Sequence, residues 1–142
     1  MSPPARFPYL AIPSRRGEGV PMPWLPLEFE LGEGRTTRAQ GLLDSGATVN
    51  VMPFSLGLRV GAVWENQKTT VTLTGNLAAH AARALLVSAR VAEFAPVRLV
   101  FAWTRTDEVP LLLGQVNFFQ EFEVSFHGRR RQFELWPADH AE

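Results

Sequence analysis

The residues best suited to chemistry in this chain are an acid, a hydroxyl residue and a glycine in succession, Asp44-Ser45-Gly46. Leucines precede them at 42–43, and apolar residues that include Val51 follow; both flanks are typical of buried strands. A tight turn alone would explain Asp and Gly here. Burial of a carboxylate between two core strands costs free energy, however, unless another group pairs with it or shares its proton. The stretch therefore predicts either a simple turn or a carboxylate with a functional role.

The other acids and bases offer weaker candidates. Only Asp44, Asp107 and Asp139 occur among the aspartates; Asp107 falls in a polar turn and Asp139 in the C-terminal tail. The histidines His80 and His127, like His140, show no metal-ligand spacing and are better explained as surface residues. Asp44 is thus the one aspartate that apolar strands flank on both sides, and no metal site is predicted.

Two further chemistries are disfavoured by the motifs. Ser45 lacks the Gly-x-Ser-x-Gly elbow of many serine hydrolases, and no histidine is placed to act as its base. The glycines near Gly32 are too scattered to hold phosphate, and no Walker lysine is present. The arginine run 129–131 is explained most simply as a solvated hairpin, with an acidic partner left open.

The overall composition indicates an ordinary globular protein. The chain has 142 residues, 46% hydrophobic and 20% charged, with a formal net charge of zero. Zero net charge gives no reason to expect nucleic acid or an anionic membrane as a partner. Cysteine is absent, which excludes disulfides and thiol catalysis. No apolar run reaches membrane-spanning length, and the first ten residues do not resemble a signal peptide. A cytoplasmic protein is predicted.

Alternating apolar residues predict a mainly β fold. Leu25, Leu27 and Phe29 alternate with polar residues or proline, and Val97 to Trp103 does the same. The predicted strands are 25–31, 36–43, 48–52, 69–74, 83–91, 97–103, 109–114, 123–126 and 132–136. Phenylalanines spaced three and four apart predict a short helix within 115–122. Many short strands with regular turns favour a barrel.

The chain is predicted to hold one folded domain. Residues 1–23 carry six prolines and a polar run and are predicted to be a flexible or docking arm. The domain then spans 24–137, and residues 138–142 form a tail. A length of this size is typical of a single domain.

These motifs resemble those of a known family. Leu42 to Thr48 resembles the active-site loop of aspartic proteases, in which an apolar pair precedes Asp-Thr/Ser-Gly-Ala. Pro110 to Gly114 resembles the second retropepsin signature, an apolar run that ends in glycine before a short helix. Residues 118–126 resemble the helix and closing strand of bacterial retropepsin-like proteins. The resemblance covers residues 25–135 and implies a closed, retropepsin-like β barrel with one short C-terminal helix.

The resemblance also implies a reaction and an assembly. Aspartic proteases use two carboxylates that share one proton, because two like charges in contact cannot both ionise. This chain supplies one such acid, so the resemblance implies a symmetric homodimer in which two Asp44 side chains meet. The implied activity is hydrolysis of a polypeptide substrate without a cofactor or metal.

The resemblance assigns roles to further residues. Ser45 would lock the two loops across the dimer axis, and Gly46 would let the substrate backbone approach. Ala47 and Thr48 would line the cleft. A flap tip made of Thr74, Gly75, Asn76 and Leu77 would close over the peptide. Leu111 to Gly114 would support the catalytic loop from beneath.

Two other interpretations stay open at this point. A catalytically inactive retropepsin-like module, which binds peptides or dimerises, is favoured by two departures from the family pattern: Gln115 replaces the usual arginine after Gly114, and the flap contains one glycine. An unrelated small barrel with a chance Asp-Ser-Gly turn is the third interpretation. Fold likeness alone does not establish activity.

Overall fold

The N-terminal residues form three short strands. The computed structural model describes residues 3–13 and 19–138. Within these ranges, β1 (Ala5–Pro8), β2 (Leu10–Ala11) and β3 (Pro21–Met22) precede the longer strands. The strands β2 and β3 pair with each other in an antiparallel ribbon. The stretch that the sequence predicts to be an arm therefore contains regular structure.

Six strands close into a barrel. They are β4 (Trp24–Gly32), β5 (Arg35–Leu43), β6 (Asn50–Met52), β7 (Ala82–Arg90), β8 (Val97–Thr104) and β9 (Leu112–Leu113). Their order around the barrel is β4-β5-β9-β6-β8-β7. The contacts of β5 with β9 and of β6 with β8 are parallel, and the other pairs are antiparallel. The predicted closed β barrel is confirmed.

A three-stranded sheet joins the two ends of the chain. The strands β10 (Phe122–His127) and β11 (Gln132–Pro137) form the predicted hairpin, and β1 pairs with the free edge of β11. Phe7 stacks on the buried Phe133, with ring centroids 5.5 Å apart. The N-terminal strand is therefore anchored by both backbone pairing and aromatic packing.

Two short α-helices lie between strands. The second, α2 (Phe118–Glu121), falls within the stretch predicted from phenylalanine spacing. The first, α1 (Phe54–Arg59), is not predicted from the sequence, because Gly57 in its interior disfavours a helix. Gly57 is required by packing, since a Cβ atom there would lie 2.0 Å from Nε1 of Trp103. Packing against Trp103 thus outweighs the low helix propensity of glycine.

The core confirms the alternation of the barrel strands. Along β4, Leu25, Leu27 and Phe29 are buried while Pro26 is exposed. Burial of large apolar side chains of this kind contributes about 1.5–3 kcal/mol each relative to exposure. The largest fully buried side chains are Trp103, Phe29, Phe101, Phe118, Phe122 and Phe133.

The predicted strand at 69–74 is wrong. Only Thr70 bridges to Arg83, and the last main-chain bond of this pairing runs from the Val71 N–H to the Ala82 carbonyl. Beyond it no further strand pairing occurs in this segment, and residues 75–77 form a 3₁₀ turn. A threonine-rich run has high strand propensity, but propensity cannot supply the missing cross-strand neighbour.

Candidate active site

Asp44 follows the last residue of β5 at one end of the barrel. Its N–H donates to the Leu113 carbonyl of β9 at 3.0 Å, while the preceding Leu43 is buried. The Asp44 residue itself is half-buried. Two barrel strands therefore fix the backbone of this acid, and its carboxyl group faces a partly solvated space.

The Asp-Ser-Gly turn orients the Asp44 carboxylate. The Gly46 N–H donates to Oδ1 of Asp44 at 3.0 Å, and the Ala47 N–H donates to the Asp44 carbonyl at 3.0 Å. A Cβ atom on residue 46 would lie 3.3 Å from the same Oδ1 atom, so glycine lets the turn close tightly. The turn thereby fixes the orientation of this carboxyl group.

A cavity of about 240 Å³ lies beside Asp44. Most of the residues singled out by the sequence line it, namely Asp44, Gly46, Ala47, Thr48, Thr74, Asn76 and Leu77. Ser45 and Gly75 do not line it, and both are exposed. The structure thus brings the Asp-Ser-Gly turn and the segment around residue 76 to one cleft.

The apolar wall of this cleft was not anticipated as a site. Val51, Leu73 and Leu112 line the cavity together with Val49 and Thr72. Leu73 is 6% exposed and packs with Val51 and neighbouring apolar residues. The sequence predicts Leu73 to be a strand residue and not a residue of the cleft. Alternation of apolar residues cannot predict which residues of a loop line a cleft. The cleft can accept an apolar side chain next to a carboxylate.

A hydrogen-bond network around Asn50 supports the turn from behind. Asn50 is fully buried; its Oδ1 accepts from the Gly114 N–H at 2.8 Å, and its Nδ2 donates to the Val100 carbonyl and to Oδ1 of Asn117. Leaving such buried polar groups unpaired would cost about 1–3 kcal/mol each. An asparagine inside an apolar strand was the available sequence signal for this support.

Asp44 is the only ionisable residue among those that line the cavity. One carboxyl group can act as a general acid or as a general base at a given moment, but the two roles together require a second group. No cluster of histidine and acidic side chains that could hold a metal occurs in residues 3–13 and 19–138. The cleft of one chain therefore holds a single carboxyl group.

Two other features of the described residues lie apart from this cleft. A larger groove of about 670 Å³, lined by Phe7, Leu27, Arg38 and neighbouring residues, contains none of the predicted site residues. No helix in the described ranges is long and apolar enough to cross a membrane.

Comparison with known proteins finds a solved structure with a similar fold. The sequence matches no protein-family profile and no curated protein. A crystal structure of a retropepsin-like aspartic protease from Rickettsia conorii is similar to this chain with a TM-score of 0.62, over 95% of this chain and 96% of that one. The sequence identity is 13%, so the likeness is one of fold. The mainly β chain thus has a retropepsin-like fold.

Proposed function

We propose that this chain is a homodimeric aspartic endopeptidase in which two Asp44 carboxylates, one from each copy, share a site. The observation that carries the proposal is the position of Asp44: a backbone-fixed, half-buried carboxylate beside a cleft in which the described residues provide no second acid. A two-fold axis next to the turn would bring the same carboxylate from a second copy. The retropepsin-like fold, which resembles that of an aspartic protease, supports this chemistry.

The proposed reaction uses the two carboxyl groups in different protonation states. The ionised Asp44 takes a proton from a water molecule, whose oxygen attacks the carbon of the scissile peptide bond. The protonated Asp44 of the second copy donates a hydrogen bond to the carbonyl oxygen and stabilises the negative charge that develops there. The Asp44 carboxyl group that took the water proton then gives it to the nitrogen, and the C–N bond breaks to release the amine and the new carboxylic acid.

The remaining site residues hold the substrate in this proposal. Ser45 links the two turns across the axis, and Gly46 leaves room for the substrate backbone. Ala47 and Thr48 line the cleft floor, while Thr74, Gly75, Asn76 and Leu77 cover an extended peptide from above. The chemistry requires no cofactor. A cytoplasmic location stays a prediction from the sequence.

Replacement of Asp44 by asparagine tests the proposal. Asp44→Asn removes the only acid of the cleft at nearly constant shape, so cleavage of a broad peptide library at acidic pH should fall by about 10⁴-fold. The control is Glu93→Gln, which makes the same acid-to-amide change on an exposed turn and should leave cleavage unchanged. Equal cleavage by wild type and Asp44→Asn would rule out the proposed mechanism.

A second candidate function is a retropepsin-like module that binds peptides or dimerises without cleavage. The observation that favours it is the segment after residue 71, which forms a 3₁₀ turn instead of a paired hairpin. Calorimetric titration with the same peptide library separates the two functions. Binding without cleavage by the wild-type dimer would favour the module, and turnover would favour the endopeptidase.

A further inference from the structure

Gln115 contacts the Asp-Ser-Gly turn through both its main chain and its side chain. Its main-chain N–H donates to the Ala47 carbonyl at 2.9 Å, and Nε2 of its side-chain amide donates to the Ser45 carbonyl at 2.8 Å. A carbonyl can only accept, so the NH₂ group of the amide must be the end that faces Ser45. Gln115 therefore ties two peptide groups of the turn to the chain that follows β9.

The side-chain contact is not a matter of core packing. Gln115 is exposed, and the hydrogen bond to Ser45 is the one found for its side chain in the described residues. Other carbonyls of the turn have main-chain donors, since Asp44 accepts from Ala47 and Thr48 accepts from Val116. The Ser45 carbonyl is reached by the Gln115 side chain instead.

The bond to Ser45 is connected to the Asp44 carboxylate through one peptide plane. The Ser45 carbonyl and the Gly46 N–H belong to the same peptide group, which is planar and rigid. Gln115 holds the oxygen end of this group at 2.8 Å, and its N–H end donates to Oδ1 of Asp44 at 3.0 Å. Rotation of the peptide plane would break both hydrogen bonds at once. Hydrogen bonds in such a chain also polarise one another.

We propose that Gln115 is a positioning residue, which fixes the Ser45–Gly46 peptide plane and thereby the orientation of the Asp44 carboxylate. This inference rests on the proposed endopeptidase function. It reinterprets the absence of arginine after Gly114, because a neutral amide supplies the donor that the turn needs without adding a cation next to the acid pair. The departure at Gln115 is then compatible with catalysis.

Three substitutions at residue 115 test the proposal. Gln115→Leu keeps the approximate size but removes the donor, and should lower kcat by about tenfold to hundredfold with little change in KM, as expected for a misplaced catalytic group. Gln115→Glu places an acceptor against the Ser45 carbonyl and should be at least as impaired. Gln115→Arg restores a donor and should recover most of kcat. The matched control is Gln120→Leu, on an exposed position of α2.

The kinetic constants separate positioning from a general structural effect. Gln115→Leu should lower kcat while its KM and its unfolding free energy stay near those of wild type. Gln120→Leu should change neither kcat nor KM. Wild-type kcat in Gln115→Leu would overturn the proposal.

Amide hydrogen exchange tests the same contact without any need for activity. The Gly46 amide should exchange faster in Gln115→Leu than in wild type, while Gln120→Leu leaves it unchanged. An unchanged Gly46 exchange rate in Gln115→Leu would also overturn the proposal. Absence of cleavage by the wild type would count against the endopeptidase, whereas the exchange measurement would still decide whether Gln115 holds the turn.

Discussion

The Asp44 carboxyl group accepts a main-chain hydrogen bond at the side of a mixed cavity. Its Oδ1 accepts from the Gly46 N–H, and the cavity beside it is lined by threonines and Asn76 as well as by valines and leucines. A second carboxyl brought alongside would make full ionisation of both groups unfavourable, so the pair would hold one proton and titrate as a unit. In the proposed dimer, the chemistry of Asp44 would thus depend on its distance to the Asp44 of the second copy.

Gly114 packs tightly against the main chain that follows the Asp-Ser-Gly turn. A Cβ atom there would lie 2.6 Å from the Val49 carbonyl oxygen and 2.7 Å from the Ala47 carbonyl oxygen. Both contacts are with main chain, so Gly114→Ala must displace the turn. We expect a loss of about 1–3 kcal/mol in unfolding free energy, together with strongly reduced cleavage.

Urea unfolding and peptide cleavage measure the two effects of Gly114→Ala. The control is Gly128→Ala, because nothing lies within 4 Å of a Cβ atom at that exposed turn. That variant should stay within about 0.5 kcal/mol of wild type. Wild-type stability in Gly114→Ala would contradict the described fit.

Glu134, on the three-stranded terminal sheet, makes a pH-dependent contribution to the stability of the fold. Partial burial on its own would raise the pKa of this carboxyl, but hydrogen bonds and charges from Arg6 and His127 outweigh it, and the pKa lies below its ordinary value of 4.5. The Glu134 oxygens lie 3.3 Å from Nη2 of Arg6 and 2.9 Å from Nε2 of His127. A depressed pKa means that the carboxylate stabilises the fold above the unfolded-state pKa and that this stability is lost as the pH falls through the folded-state pKa.

Glu134→Gln should therefore lower the Tm at neutral pH, and the difference from wild type should shrink as the pH falls below the ordinary carboxyl range. Thermal unfolding monitored by circular dichroism at a series of pH values measures this. Glu123→Gln, an exposed acid on the neighbouring strand β10, is the control and should show no such trend. A Tm difference that is constant with pH would argue against the ion-pair origin.

At the scale of elements, the segment 72–76 differs most from the barrel strands that it joins. None of the amides of Thr72 to Asn76 donates to a main-chain carbonyl in the described residues, and Leu73 provides the buried anchor. Few backbone hydrogen bonds and one apolar anchor describe a segment that opens at low free-energy cost. Such a segment is suited to admit and release a peptide.

Hydrogen exchange monitored by NMR should show this difference directly. The amides of residues 72–76 should exchange much faster than those of the β7 positions 85–88, which pair with β8. A peptide that binds in the cleft should slow exchange in 72–76 and leave β7 unchanged. Protection of 72–76 equal to that of β7 in the free protein would contradict a mobile cover.

The elements also show why part of the fold was predictable from sequence. Regular alternation at Leu25, Leu27 and Phe29 reports which face meets the core, so β4 and its partners were predicted correctly. The wrong strand at 69–74 and the missed helix α1 have a common cause. Thr70 has a single bridge, and Gly57 lies in a helix because Trp103 packs against it; both outcomes depend on partners distant in sequence.

The acid of the candidate site was predictable from the sequence, whereas the residues that hold its turn in place were not. Asp44 stood out because it was a rare acid between two apolar strands. The contribution of Asn50, Gln115 and Leu73 follows only from the closure of the barrel, which brings residues 50 and 114 within hydrogen-bond distance. Side-chain amides carry no periodic pattern, so no local rule identifies the particular carbonyl that they will reach.

At the scale of the whole molecule, the proposed activity requires two copies. Each chain offers one Asp44 beside one cleft, and a symmetric pair would complete the acid pair with a single self-complementary contact. Any treatment that separates the copies should therefore abolish cleavage even where the barrel stays folded. Activity per chain should fall on dilution below the dissociation constant of the dimer.

The most direct measurement mixes wild-type and Asp44→Asn chains, allows the subunits to exchange, and records cleavage at constant total protein. A shared site is active only in dimers of two wild-type chains, so activity should follow the square of the wild-type fraction, about one quarter at equal mixing. Glu93→Gln mixed with wild type should retain full activity at every ratio. A linear dependence on the wild-type fraction, about one half at equal mixing, would show that each chain acts alone and would contradict the pairing of the two Asp44 carboxylates.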